Sequence, residues 1–424
     1  MIKHKKELLS NKMPLISIPV VGAPTATALV MIKTGSKYES RAESGLSHFL
    51  EHMFFKGTEK RPDTLAISSA LDALGGEFNA FTSKEYTGYY VKVATGKLIP
   101  ALEILGDMLA NSKFEEVEIE REKGVIIEEL NMYEDNPLMH IEDVLEACLY
   151  GDSPAGWDTI GTKKTIKSFK REDFVKYFEK QYGANSMGLI LSGAISKEEK
   201  KAAMAFFGGF KRNKWQDKLK VQEKQVKPAL KIVYKKTDQV NLALAVRSFP
   251  VSHPQEMVLK LLSVILGGSM SSRLFISLRE RSGLAYYVKT GAEFYSDAGY
   301  LSTQAGVPKD KLVAALQIIM DEYRLIAKEA VPKAELKRAK DIVAGRLAMQ
   351  LESSDEIASW YGKQFILRDK YFNPQEIQKK LQAVTTQDIQ TVAKLIMKDK
   401  NLNLAIIGPL KENNKSALLK MLKF

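Results

Sequence analysis

One cysteine, Cys148, in 424 residues excludes an internal disulfide and agrees with a reducing, cytoplasmic compartment. No run approaches the roughly 18 apolar residues that would cross a bilayer, so no membrane partner is expected. The basic start, MIKHKKELLSNKMPLISIPV, lacks the unbroken apolar stretch of a secretory signal. Recognised nucleic-acid modules are missing as well. The net charge of +12 comes from Lys and Arg spread along the chain among Glu and Asp, with no basic strip interleaved with aromatics. That charge is read as solvation or weak steering of acidic substrates, not as a nucleic-acid surface. Histidine is scarce at five residues, which gives weight to any place where two stand together.

A composition of 45% hydrophobic and 27% charged residues is that of a soluble globular chain. Its length suits two domains of about 200 residues each. Internal similarity supports the division. The segment SFKREDFVKYFEKQYGANSMGLILSGA overlies AVTTQDIQTVAKLIMKDKNLNLAIIGP at a shift of 215 positions, matching Asp173 to Asp388, Leu189 to Leu404 and Gly193 to Gly408. Each reads as an amphipathic helix, then an apolar strand ending at glycine. The same shift lays ATALVMIKTG over NLALAVRSFP. The expected fold is α+β, two copies of one unit, each a mixed or antiparallel sheet covered by helices. The expected boundaries are 1–207, a polar Lys-rich linker 208–230, and 231–424. Within the first copy, helices are expected over 45–54, 64–74, 100–112 and 115–133. Strands are expected over 79–82 and 88–93, and Asn136–Pro137 breaks the helical run before another begins.

His48-Phe49-Leu50-Glu51-His52 holds two of the five histidines. On a helix, positions i and i+4 share a face, so both imidazoles reach one zinc ion. Glu51 points to a neighbouring part of that face, close enough to take a proton from water without ligating. This is the inverted form of the H-E-x-x-H arrangement, and its accidental appearance is expected in roughly one such sequence in two hundred. A catalytic zinc wants three protein ligands and an open position. In EREKGVIIEE, Glu122 and Glu129 are seven apart and nearly stacked, while Glu128 is turned away by about 100°. One stacked carboxylate suits the metal and the other suits orienting a histidine, and spacing does not choose between them.

At these residues the chain resembles the pitrilysin-type inverzincin peptidases, the M16 family that includes insulin-degrading enzyme and the mitochondrial processing peptidase. The resemblance covers nearly the whole chain, through GLSHFLEHMFFKGT, LGGEFNAFTSKEYTGYY, EREKGVIIEEL and LGGSMSSRLFISLRERSGLAYYV. It implies one zinc per chain on His48, His52 and Glu129, with Glu51 activating water and Glu122 supporting a ligand. It also implies that Arg279 and Tyr286 grip substrate and stabilise the transition state. Asn79, Ala80, Phe81 and Thr82 match an edge strand on which a peptide is held as an added β-strand. The 215-residue shift puts His48, Glu51, His52 and Glu129 on Ser263, Leu266, Gly267 and Ala344, and puts Arg279 and Tyr286 on Thr64 and Leu71. One half is therefore expected to carry the metal and the other the substrate grip.

The function implied is a zinc endopeptidase acting on unfolded peptides. Longer family members close four domains into a chamber. This chain has half that shell, and a homodimer is expected to complete it. Two other readings stand beside it: a non-catalytic assembly subunit, whose relatives have degraded metal residues, and the catalytic subunit of a heterodimer.

Overall fold

The computed structural model describes residues 3–368 and 370–424. In chain order the elements begin with β1 (Lys5–Leu8), β2 (Pro14–Pro19), β3 (Thr25–Ile32), α1 (Leu46–Met53) and α2 (Thr64–Asp72). Next come β4 (Glu77–Thr82), β5 (Thr87–Ala94), α3 (Leu98–Asn111), α4 (Glu116–Asp135) and α5 (Pro137–Tyr150). They continue with α6 (Lys163–Ser168), α7 (Arg171–Gln181), β6 (Met187–Gly193) and α8 (Lys197–Phe207). The second half runs β7 (Ala229–Tyr234), β8 (Gln239–Arg247), α9 (Glu256–Gly267), β9 (Tyr287–Phe294), β10 (Gly299–Pro308) and α10 (Leu312–Lys328). It closes with α11 (Lys333–Gln350), α12 (Ser354–Leu367), α13 (Pro374–Ala383), α14 (Thr386–Ile396), β11 (Leu402–Gly408) and α15 (Lys415–Met421).

Two sheets form, ordered β1-β2-β6-β3-β5-β4 and β7-β11-β8-β10-β9. Apart from the extra β1, the orders are the same, and each has one parallel pair, β2 with β6 and β7 with β11. The helices α7 and α14 and the strands β6 and β11 stand 215 residues apart, as the internal repeat requires. Both helices also start alike, with the side chains of Asp173 and Asp388 accepting from the backbone N–H of Lys170 and Thr385. The mixed α/β duplication expected from sequence is the observed fold.

The compact units are interleaved rather than sequential. The first comprises Met1–Leu130, Asp158–Leu219 and Ala348–Pro374; the second comprises Asn131–Trp157, Lys220–Leu347 and Gln375–Phe424. Side-chain alternation explains what the exchanged helices do. On β8, Val240, Leu242, Leu244 and Val246 face the main core of the second unit, while Ala243 and Ala245 face α5 and pack with its Ile141, Val144, Leu145 and Leu149. Alanines on that face let the helix approach the sheet closely. In the first unit α12 lies on β3 and β6. Ser354 Oγ bonds Thr25 and Thr27 at 2.9 and 2.8 Å, and Phe365 packs where any side chain at Gly188 would collide.

Residues 209–228 form no helix or strand, yet side chains pin them. Trp215 Nε1 donates to the Lys33 carbonyl at 2.9 Å, and Asn213 bonds Asn185 and the Lys180 carbonyl. Further on, Val221 N donates to Asp297 at 3.0 Å and Gln225 to the Leu402 carbonyl at 2.9 Å. The stretch expected as a linker is thus a strap, because its backbone and polar side chains find partners that a free tether would leave to water.

Candidate metal centre

Helix α1 starts at Gly45, whose φ of 94° lies in the left-handed region; a Cβ there would fall 2.2 Å from the Ile160 carbonyl oxygen. The buried Glu39 carboxylate accepts the backbone N–H of Gly45 at 2.8 Å and of Ser47 at 2.7 Å. These are two of the donors a helix leaves unpaired at its start. Burial pushes the Glu39 carboxyl up to about 7, even though both backbone N–H groups favour its charge. Ser47 Oγ also bonds the Tyr177 hydroxyl at 2.7 Å. Met53, Phe49 and Leu50 are buried, so the helix rotation is set by its apolar face.

That rotation brings the rings of His48 and His52 to a centroid separation of 4.8 Å. Helix α4 supplies Glu129 opposite them. His48 Nε2 lies 3.6 Å from Glu129 Oε1, and His52 Nε2 lies 3.4 Å from Glu129 Oε2. One ligand atom from each of the three residues falls within 4.8 Å of the others, and among the described residues no other such group of His, Cys, Asp and Glu occurs. The contacts are long for hydrogen bonds. They match the separation of about 3.3 Å that tetrahedral bonds of about 2.0–2.1 Å set between two zinc ligands.

Glu122, one face-repeat before Glu129, sits behind the cluster. It is buried, with Oε1 3.0 Å from His52 Nδ1 and Oε2 2.6 Å from Lys56 Nζ. A carboxylate at Nδ1 holds a proton there, so that loss of the other proton would free the Nε2 lone pair on the Glu129 side, the arrangement expected behind a metal-ligating histidine. Burial alone would raise Glu122; the His52 and Lys56 contacts outweigh it and hold its carboxyl below the usual range. Glu128 is exposed, turned about 100° from Glu129 on α4. The donor set therefore fits zinc. Replacing Glu122 by Gln is expected to weaken zinc binding by about 10- to 100-fold without unfolding the chain. A competition titration against a chromophoric chelator measures this.

Burial disfavours a charged His52, but Glu122 and Glu129 outweigh that and push it up to about 9 in the metal-free chain. The facing imidazoles hold Glu129 far below the usual carboxylate range, so it enters the site already ionised. Metal must then displace one proton below pH about 9. Zinc affinity is expected to rise by up to about tenfold per pH unit between pH 6 and 8, and a flat profile would contradict this protonation state.

Glu51 lies outside the ligand group. Its Oε2 accepts a 2.5 Å hydrogen bond from Thr82 Oγ1, the last residue of β4, and burial raises its carboxyl above the ordinary value. Among the described residues, strand β4, which carries Asn79, Ala80, Phe81 and Thr82, pairs only with β5 and so presents a free edge. Asn79 Oδ1 accepts from the Ala80 backbone N–H at 2.9 Å.

Arg279 and Tyr286 belong to the second unit, where they meet. The guanidinium lies 5.2 Å from the Tyr286 ring centroid and 5.0 Å from that of Phe275, and Tyr286 is 78% exposed. At the positions equivalent to the ligands stand Ser263, Gly267 and Ala344, and a Cβ at Gly267 would lie 2.3 Å from Thr290 Oγ1. At these three positions the second unit has no metal-ligating side chain, and at Gly267 there is no room for an imidazole. The contributions of Glu39 and Lys56 to the centre escape sequence reading, because isolated polar residues in loops carry no periodic signal; Thr82 is expected on the peptide-holding edge, but its bond to Glu51 is not.

Known proteins resemble the chain in sequence and in fold. Residues 17–163 match the family described as Insulinase (Peptidase family M16), and residues 168–343 match the Peptidase M16 inactive domain. The chain is 35% identical over 381 residues to a Bacillus subtilis protein named uncharacterized zinc protease YmxG, covering 90% of this chain and 92% of that one. It is 32% identical to an uncharacterized zinc protease of Rickettsia bellii, covering 96% of each. The crystal structure of a protease from Helicobacter pylori shares the fold with a TM-score of 0.91 at 22% identity, covering 96% of this chain and all of that one.

Proposed function

The chain belongs to the M16 peptidase family, and from that premise we propose that it is a zinc-dependent endopeptidase acting on unfolded peptides. One observation carries the reading: two imidazole Nε2 atoms and the Glu129 carboxylate converge, while the neighbouring acid Glu51 stays outside the set beside a free strand edge.

His48, His52 and Glu129 would hold the ion, which when bound supplies a Lewis acid that makes water nucleophilic near neutral pH and polarises a carbonyl. Glu51 accepts the proton of the attacking water and passes it to the leaving amine. The β4 edge from Asn79 to Thr82 offers backbone N–H and C=O groups to an extended peptide, giving affinity without a fixed sequence and favouring unfolded substrates. Tyr286 and Arg279 supply hydrogen bonds to the developing oxyanion. The non-catalytic alternative loses ground because the ligand set and its supporting acid are complete.

Metal analysis with cleavage of casein-derived peptides tests the reading, before chelation, after it, and after zinc is restored. One zinc per chain and chelator-sensitive, zinc-restored cleavage are expected. Cleavage indifferent to chelation, or a chain that takes up no zinc, would refute it.

The chamber is proposed to be a homodimer in which each site draws Tyr286 from the opposite subunit. Mixing a Glu51→Gln chain with a Tyr286→Phe chain should then restore up to about a quarter of parent activity, from mixed dimers with one intact site. No recovery from two weak parents refutes sharing.

Among the described residues no helix is long and apolar enough to cross a membrane.

A further inference from the structure

We propose that the loop Gly35–Glu39 is a two-armed brace that sets Glu51 against the strand edge, with Glu39 as a positioning residue for the ligand-bearing helix and Lys37 for the β4–β5 turn. The inference rests on the peptidase reading and adds residues to it.

The first arm is the Glu39 carboxylate on the N–H groups of Gly45 and Ser47, the second of which immediately precedes His48. A carboxylate at a helix start pairs open donors and complements the positive end of the helix dipole. It therefore resists displacement of α1 along its axis. The second arm reaches the turn that follows Thr82. Lys37 Nζ lies 2.7 Å from Glu85 Oε1, both side chains fully out of water. The backbones join as well, through Ser36 N to the Ser83 carbonyl at 3.3 Å and Lys37 N to the Lys84 carbonyl at 2.9 Å. This approach needs Gly35, since a Cβ there would lie 2.1 Å from the Ser83 oxygen.

Thr34, just before the loop, ties the same two elements. Its Oγ1 bonds the Tyr177 hydroxyl, which bonds Ser47, and its carbonyl accepts from Thr87 Oγ1. Helix and turn thus share one rigid neighbour. Across the gap Thr82 Oγ1 donates to Glu51 at 2.5 Å. Two buried charges two residues apart around a single 3-10 turn are costly to keep, which is expected where local rules yield to site geometry. The raised Glu39 carboxyl records that cost.

The arms predict different defects. Glu39→Gln keeps the shape but turns one acceptor into a donor facing an N–H. It should speed amide exchange at 45–48 in the metal-free chain, and lower both zinc affinity and kcat by about tenfold with KM within about twofold. The double variant Lys37→Met/Glu85→Met removes both charges of the second arm; Lys218, 3.7 Å from Glu85 Oε1, also loses that partner but lies over the Tyr38 ring at 5.7 Å. This variant should speed exchange at 82–86 and raise KM by about tenfold, with zinc affinity unchanged. If Glu39→Gln does not fold, Glu39→Asp, which keeps the charge with shorter reach, carries the same readouts. Parent-like zinc affinity and kcat in the Glu39 variant overturn the inference, whatever the exchange rates do, and so does a parent-like KM in the double variant. If the parent chain itself binds zinc but cleaves nothing, the peptidase reading fails, and zinc affinity with exchange still decides the brace.

Discussion

Glu51→Gln is expected to lower kcat by about three orders of magnitude while zinc stays bound at one per chain, because a general base contributes roughly 10²–10⁴ to the rate. Retention of metal follows from position. The ligand atoms come from His48, His52 and Glu129, whereas the Glu51 carboxylate is turned to Thr82. Glutamine still offers Thr82 an acceptor oxygen, so the strand contact and the helix should persist. What is lost is the ability to take a proton. Zinc measured by atomic absorption and turnover on the same sample separate the two quantities. A variant with parent-like turnover removes Glu51 from the chemistry, and one that loses zinc places it among the ligands instead.

Glu129→Ala is the second large effect. Without it the ion keeps two imidazoles, one fewer than the three protein ligands of a catalytic zinc, and affinity should fall on the order of 10³-fold, about 4 kcal/mol. Activity should vanish at ordinary zinc concentrations. Metal-free stability at neutral pH should fall modestly, because Glu129 is partly buried and its carboxylate pairs with the two imidazoles rather than packing in the core. Glu128→Ala is the internal control, since that side chain is exposed, turned about 100° from Glu129 on α4, and should leave zinc affinity within about twofold of the parent. Zinc retained in the Glu129 variant and lost in the Glu128 variant would overturn the ligand set.

The two substitutions also mark how much was legible beforehand. A helical period of 3.6 is enough to put His48 and His52 on one face, because that geometry is local. The same period stacks Glu122 with Glu129 but leaves their roles interchangeable. Resemblance to a family distinguished them, and in the structure Glu129 faces both Nε2 atoms while Glu122 bonds His52 Nδ1. The strap at 209–228 read as a linker because its anchors, Trp215 and Gln225, act on partners far away in sequence. The exchange of α5 and α12 was invisible for a related reason: an amphipathic stripe announces that a helix face will be buried, not which sheet will bury it.

From residue order alone came the repeat of 215 positions, the α+β units, the paired imidazoles with an acid between them, and the inability of the second copy to repeat them. All of these depend on spacing within one element or on likeness between two segments. Only the tertiary structure decided which helix lies on which sheet, which carboxylate faces the imidazoles, and that Glu39 and Lys37 are buried beside α1 and the β4–β5 turn. Apart from the Glu39–Ser47 bond, which spans eight residues, those are contacts between residues dozens of positions apart. Their energy comes from excluding water and pairing charge at close range, and neither exists until the chain has folded.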